Sequence, residues 1–315
     1  MGPMTGVVPG LPAGYRGRAA CAEDVPVIHG LVAACETELY GQVETDPGGI
    51  AADLARPGME LGADTLLVHD AQGRPAARAW VDRRSEVDVH PEHRGRGLGA
   101  ALLDWAEARA RQAGTERIVQ TVPDSDAGAV ALVRSRGYGP LVRAWLMEIA
   151  MPREPALPQA PQGVTVRPFR AGDGPAVHRL TEDAFAEWQP RRKAYEEWAQ
   201  HTVERPTFAA QMSSLAFVDG QVVGAVLALD LPDTEDGYVE RVAVAHDHRN
   251  RGIARLLLRH SFLAFHRAGR RSCTLWTHSG TGALGLYERV GMTVRRSATT
   301  FVKDLSEGAE GPPPA

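Results

Sequence analysis

Two short segments carry residue types suited to holding a phosphate. Arg94-Gly95-Arg96-Gly97-Leu98-Gly99 and, 155 residues further on, Arg249-Asn250-Arg251-Gly252-Ile253-Ala254 each follow a strand-like run and open a helical pattern. Glycine reaches φ > 0 without a Cβ clash, which lets backbone N–H groups approach a ligand, and the helix N-terminus adds partial positive charge. Arginines in the same loop add charge-assisted hydrogen bonds to a pyrophosphate. A single copy could equally be a plain strand-to-helix turn; two copies in the same context favour a phosphate cradle. Neither copy reads G-x-G-x-x-G with a following acidic residue, and neither has Gly-Lys-Ser/Thr, so dinucleotide and Walker sites are excluded.

The elements that position these loops also occur twice. Arg18, Asp24, Pro26 and His29 recur 149 residues later as Arg167, Asp173, Pro175 and His178, and the drift from 149 to 155 implies insertions in the second half. Each half opens with a strand and a helix; in the first, Val25, Ile28, Leu31, Val32 and Cys35 share one face. Hairpins follow, at 65–69 with 76–81 and at 215–218 with 222–229. Strands 86–89 and 239–244 run into the loops, and helices 100–113 and 254–268 leave them. A strand (117–121, 272–277), a short helix and a closing strand complete each half. Strand runs interrupted by helices predict an α+β (mixed α/β) chain of two tandem domains, at 14–150 and 164–304, joined by the Pro-rich linker 151–163 and followed by a disordered tail at 305–315.

Composition sets the outer bounds. The chain has 315 residues, about two ordinary domains, and is 43% hydrophobic, too apolar for general disorder. Its 35 Lys and Arg against 39 Asp and Glu leave no global positive field for nucleic acid or an anionic membrane. Cys21, Cys35 and Cys273 are odd in number and lack a CxxC pair, which supports neither a disulfide framework nor zinc. No signal-peptide core or membrane-length apolar run is present. These points predict a cytoplasmic protein with no metal, no membrane and no nucleic-acid partner.

The loops resemble the Gln/Arg-x-x-Gly-x-Gly/Ala acyl-CoA motif of the GNAT superfamily of N-acyltransferases. Val89-His90-Pro91-Glu92-His93-Arg94 is similar to the strand exit that precedes that motif, and the run from Thr281 to Met292 to its late signature. The likeness covers most of both halves, and in architecture it is similar to two-domain members such as the mycothiol synthases, whose C-terminal domain is catalytic. The resemblance implies two GNAT-like domains, each a mostly antiparallel twisted sheet flanked by helices, with acetyl-CoA as co-substrate. Implied acetyl-CoA contacts are Val242, Ala243, Val244, Arg249, Asn250, Arg251, Gly252, Ile253, Ala254 and Ser279. Their first-half counterparts are Val87, Val89, Arg94, Gly95, Arg96, Gly97, Leu98 and Gly99.

Register then separates the halves. Four residues before the strand-end valine stands Glu240 in the second half, where GNAT enzymes often carry the general base, and Ser85 in the first. Aligning Gly291-Met292 with Gly137-Tyr138 sets Tyr287, at the position of the family's general acid, against Val133. The first domain therefore reads as catalytically degenerate. His278 is a rival base, and Ser279 stands where the family often has asparagine. Glu240 could instead pair with Arg241 or Arg249, and Tyr287 could simply pack the core. Trp188, Tyr195, Trp198 and Trp276 are core or pocket wall. The reading is an acetyl-CoA-dependent N-acetyltransferase acting on a primary amine of a small molecule in a direct ternary complex, for which a monomer suffices; the alternatives are a non-catalytic CoA-binding sensor or scaffold and a protein N-acetyltransferase.

Overall fold

A computed structural model of the chain describes residues 10–82, 84–187, 191–231 and 234–306. The tail beyond Ser306 and Trp188 lie outside the described residues. The first half runs β1 (Arg16–Arg18), α1 (Val25–Tyr40), α2 (Pro47–Leu54), α3 (Leu61–Asp64), β2 (Thr65–His69), β3 (Pro75–Val81), β4 (Ser85–Val89), α4 (Leu98–Gln112), β5 (Arg117–Pro123), α5 (Ala127–Ser135) and β6 (Gly139–Ala150). The second runs β7 (Thr165–Pro168), α6 (Gly174–Ala184), α7 (Tyr195–His201), β8 (Ser214–Val218), β9 (Gln221–Leu229), β10 (Asp236–Val244), α8 (Ile253–Arg267), β11 (Ser272–His278), α9 (Leu284–Arg289) and β12 (Thr293–Asp304). The α+β pattern and the two helices leaving the Arg/Gly loops are as the sequence predicts.

The chain folds into two compact units, and they are not the contiguous domains 14–150 and 164–304. Unit 1 ends at Arg143 and resumes at Ser297, while unit 2 spans Ala144–Arg296. In unit 1, β1 to β4 pair antiparallel in sequence order, β4 meets β5 in parallel, and residues 298–304 of β12 pair antiparallel with β5. Unit 2 repeats this with β7 to β10, β11 and residues 144–150 of β6. Each unit thus takes its last strand from the other half of the chain. Two repeats offer equivalent edges to a closing strand, so alternation alone does not say which edge it joins.

The packing follows the apolar patterns. In unit 2, Leu256, Leu257, Phe262 and Phe265 of α8 pack on one sheet face with Met147 and Leu275. Val177 and Leu180 of α6 and Trp198 of α7 cover the other with Leu215 and Leu227. Burying each such side chain contributes about 1.5–3 kcal/mol. Trp198 and Cys35 are core residues, and burial pushes the Cys35 thiol up to about 12. Two expected non-core segments start packed: Met151 is buried with its N–H on Arg271 O at 2.6 Å, and Leu305 is buried with its N–H on Glu116 O at 2.7 Å.

The repeated Arg, Asp, Pro and His prove architectural. Arg18 grips Asp24 with two hydrogen bonds of 2.6 Å, and Arg167 grips Asp173 at 2.7 and 2.8 Å, tying the first strand to the first helix. Proline opens α1 and α6, where a missing N–H is harmless. His29 and His178 donate through Nε2 to Thr45 O (3.0 Å) and Lys193 O (2.9 Å). The Arg18 bond holds the Asp24 carboxyl down at about 2, below its ordinary 3.8. A carboxyl depressed on folding stabilises above its unfolded pKa and loses that contribution as pH falls, here from about pH 4 towards 2. Asp24→Asn is therefore expected to cost about 2 kcal/mol at pH 7 and to flatten the acid limb over that window, as read by urea unfolding at a series of pH values.

Candidate active site

The site in unit 2 begins with an irregularity in β10. Val239 faces Ala228 and Arg241 faces Leu227 on β9, which leaves Glu240 without a cross-strand partner. This is a β-bulge, which bends its strand and sharpens the twist. The parallel pairing with β11 covers only Asp236–Tyr238 against Ser272–Thr274. Past the bulge β10 keeps β9 on one side, so alternate residues turn their N–H and C=O groups the other way. A cleft of about 740 Å³ opens there, lined by Glu240–Val244 of β10, Trp276–His278 of β11, Tyr287 and the Arg249 loop.

The loop has the conformation its sequence predicts. Asn250 at φ 61° and Gly252 at φ 81° are both left-handed, and asparagine is among the few non-glycine residues that tolerate this. Gly252 caps α8, whose first N–H groups lack helical partners. Arg249 donates to two carbonyls, Val244 O at 3.3 Å and Ala184 O at 3.4 Å. Of the expected contacts, Val242, Ala243, Val244, Arg249, Asn250, Gly252, Ile253 and Ala254 line the cleft; Arg251 and Ser279 are not among its walls.

Both expected proton-handling residues reach this cleft. Glu240 Oε1 accepts from Arg205 Nη1 at 2.7 Å, while its Oε2 is buried with no partner among the described residues. The guanidinium on Glu240 is therefore neither Arg241 nor Arg249; Arg205 lies on an irregular loop, where no periodicity marks it. Tyr287 is 7% exposed, and burial pushes its phenol up to about 12. His278 lines the cleft as an exposed side chain. His248 is half-buried in the cleft wall, and its Nδ1 is buried without a partner among the described residues.

Unit 1 has a smaller cleft of about 460 Å³, lined by Val87, Val89, Arg94, Gly95, Gly97, Leu98 and Gly99, while Arg96 is not among its walls. Gly95 (φ 71°) and Gly97 (φ 85°) reproduce the loop, and Val133 stands where unit 2 has Tyr287. The bulge is missing: Ser85, Glu86, Val87 and Asp88 face Val81, Trp80, Ala79 and Arg78 in unbroken register. Glu240 thus has no counterpart at all, and it is one of the insertions behind the drift in spacing. Where unit 2 opens, unit 1 is stitched: Ser85 Oγ donates to Val119 O at 3.0 Å. The Gln120 amide, turned to satisfy its neighbours, donates to Ser85 Oγ (2.8 Å) and accepts the Val87 N–H (3.2 Å).

The arginines of the unit 1 loop are also engaged, while Gly95, Arg96 and Gly97 stay exposed. Arg94 pairs with Glu38 and lies 3.7 Å from Asp126. Arg96 donates to the Tyr15 hydroxyl at 3.4 Å, and a Cβ on Gly97 would lie 3.5 Å from Pro12. Glu86 and Asp88 are held by Arg78 at 2.9 and 2.7 Å. His90, Glu92 and His93 bring ligand-type atoms within 4.8 Å of one another. One nitrogen of each ring is engaged, His90 Nδ1 by the Glu92 N–H (3.3 Å) and His93 Nδ1 by Tyr15 Oη (3.0 Å). No helix among the described residues is long and apolar enough to cross a membrane.

Comparison with known proteins places the fold in a family. The family model described as "Acetyltransferase (GNAT) family" matches residues 67–138 and 175–292, once in each half. A mycothiol acetyltransferase of Saccharopolyspora erythraea is 30% identical over 256 residues, covering 73% of this chain and 82% of the relative. The crystal structure of a GCN5-related N-acetyltransferase from Sphaerobacter thermophilus superposes with a TM-score of 0.79 at 30% identity, over 95% of this chain and 98% of that one. A tandem GNAT protein from the clavulanic acid biosynthesis pathway shares the fold, with a TM-score of 0.67 at 17% identity over 94% of this chain and 100% of its own. Matched in both repeats by the family model, and along most of its length by these relatives, the chain belongs to the GNAT family of acetyltransferases.

Proposed function

We propose that unit 2 transfers the acetyl group of acetyl-CoA to the primary amine of a small molecule, and that unit 1 does no chemistry. One observation carries the reading: Glu240, Tyr287 and the glycine loop at the start of α8 share a single cleft. Acetyl-CoA supplies the activated thioester. The α8 N-terminus and Arg249 hold its phosphates, and the outward-turned backbone of Val242–Val244 lines the path to the reacting end. As the amine nitrogen bonds to the carbonyl carbon and the C–S bond breaks, the free Oε2 of Glu240 accepts the surplus amine proton, directly or through water, while the Tyr287 hydroxyl donates a hydrogen bond to the developing thiolate. Because relatives carry the name mycothiol acetyltransferase, a mycothiol-related amine is the first acceptor to test.

The test is CoA thiol release from acetyl-CoA across a panel of small primary amines that includes the acceptor of the mycothiol acetyltransferases. Amine-dependent release that falls at least a hundredfold in Glu240→Gln is expected. Tight CoA binding with no release across the panel overturns the reading in favour of a CoA-binding sensor.

A further inference from the structure

The mechanism above leaves one close contact of the base unused. Arg205 Nη1 lies 2.7 Å from Glu240 Oε1, and the two side chains are 34% and 21% exposed. Arg205 does not hang from a free loop. Its carbonyl accepts the Phe208 N–H at 2.9 Å, Thr207 O accepts from Asp230 N at 2.8 Å, and Ala209 N donates to Ala228 O at 3.0 Å. Phe208 bridges to Leu229 and meets Phe169 edge to face at 5.1 Å. The segment is thus pinned along β9, the strand that also flanks the bulge, so guanidinium and carboxylate are held by one rigid frame.

That contact divides the two oxygens of Glu240. Oε1 is taken by Arg205, and Oε2 is buried and unpartnered in the cleft wall. A bulge residue has no cross-strand neighbour to fix its side chain, and a carboxylate with three rotatable bonds loses orientation unless something holds it. Of the other charged or titratable groups nearby, Tyr238 is half-buried two residues earlier on β10, Arg241 lies 5.9 Å from the Phe185 ring, and His278 lies across on β11. None of them makes a recorded bond to Glu240.

We propose that Arg205 is a positioning residue for the transfer: it fixes one carboxylate oxygen of Glu240 so that the other stays aimed at the amine. This role rests on Glu240 being the base. It does not require Arg205 to touch either substrate.

The experiment is a double-mutant cycle on the full chain, with kcat and KM measured for Arg205→Met, Arg205→Lys, Glu240→Gln and Glu240→Gln with Arg205→Met; melting temperatures check folding. Arg205→Met is expected to lower kcat ten- to a hundredfold with the KM for acetyl-CoA within about twofold, and Arg205→Lys to recover most of the loss. In the Glu240→Gln background Arg205→Met should cost no more than about twofold, since the group it positions is gone. Equal losses in both backgrounds, or no rescue by lysine, overturn the proposal, because a purely structural role predicts them. A gain in turnover on Arg205→Met overturns it as well, making Arg205 a block on the base. Wild-type activity in Glu240→Gln removes the base assignment and this role together; a dead Glu240→Gln beside an unaffected Arg205→Met removes this role alone.

Discussion

Replacing Tyr287 by phenylalanine is expected to slow turnover about ten- to 150-fold while CoA binding changes by less than about twofold. The ring is buried among Ile253, Leu256 and Val290 of the unit 2 core, and phenylalanine preserves that packing. What goes is the hydroxyl. With its phenol pushed up to about 12 by burial, Tyr287 stays protonated across any practical assay range. Full transfer of that proton to a thiolate, whose ordinary pKa is about 8.5, runs uphill. The hydroxyl therefore acts chiefly as a hydrogen-bond donor to charge that develops as sulfur leaves. A hydrogen bond to a charged group contributes about 1.5–3 kcal/mol, and each 1.36 kcal/mol is tenfold in rate, which sets the size of the effect. Single-turnover rates with a saturating amine measure it; unchanged turnover removes Tyr287 from the mechanism.

Calorimetric titration with CoA is expected to give one site per chain, in unit 2. Both loops have the left-handed turns, but only the unit 2 loop presents an arginine whose recorded partners are carbonyls. Arg94 is compensated by Glu38 and Asp126, and Gln120 takes the Val87 N–H. Val87 is the counterpart of Val242, whose backbone borders the open cleft in unit 2. A discriminating pair of variants is Ala254→Glu and Ala100→Glu, which put a carboxylate in the first turn of α8 and of α4. A carboxylate there favours the helix by complementing its dipole yet repels a phosphate, so loss of binding does not come from unfolding. Ala254→Glu should abolish the heat of binding and Ala100→Glu should leave it unchanged. Two sites per chain, or a loss on Ala100→Glu, would show that the unit 1 loop still binds.

Much of this was legible in the residues. The loops could be read because a glycine or asparagine at each left-handed position leaves a mark in sequence, and because the mark occurs twice. Glu240 and Tyr287 emerged from register against fixed points, Val244 and Gly291. Other features leave no such mark. The bulge at Glu240 is a single extra residue, visible in sequence only within the drift from 149 to 155. Arg205 meets Glu240 across 35 positions, from a loop without periodicity. Gln120 looks like an ordinary polar strand residue until its amide is seen between β4 and β5. The sequence does not show which unit each closing strand joins, because two similar repeats present similar edges, and alternation specifies a face and not a partner.

The exchange of closing strands has a consequence for the order in which the protein is made. Residues 144–150, which complete unit 2, leave the ribosome before the rest of that unit. Unit 1 is in the opposite position: β5 must wait for residues 298–304, and Asp124 for the Ser297 and Thr299 hydroxyls it accepts from. Although most of its residues precede unit 2, unit 1 closes last, after unit 2 has been synthesised, and until then β5 exposes an unpaired edge of the kind that invites aggregation. Nascent chains arrested within the linker should therefore be protease-sensitive throughout, and a gene cut there into two halves would yield two fragments each carrying the strand that belongs to the other.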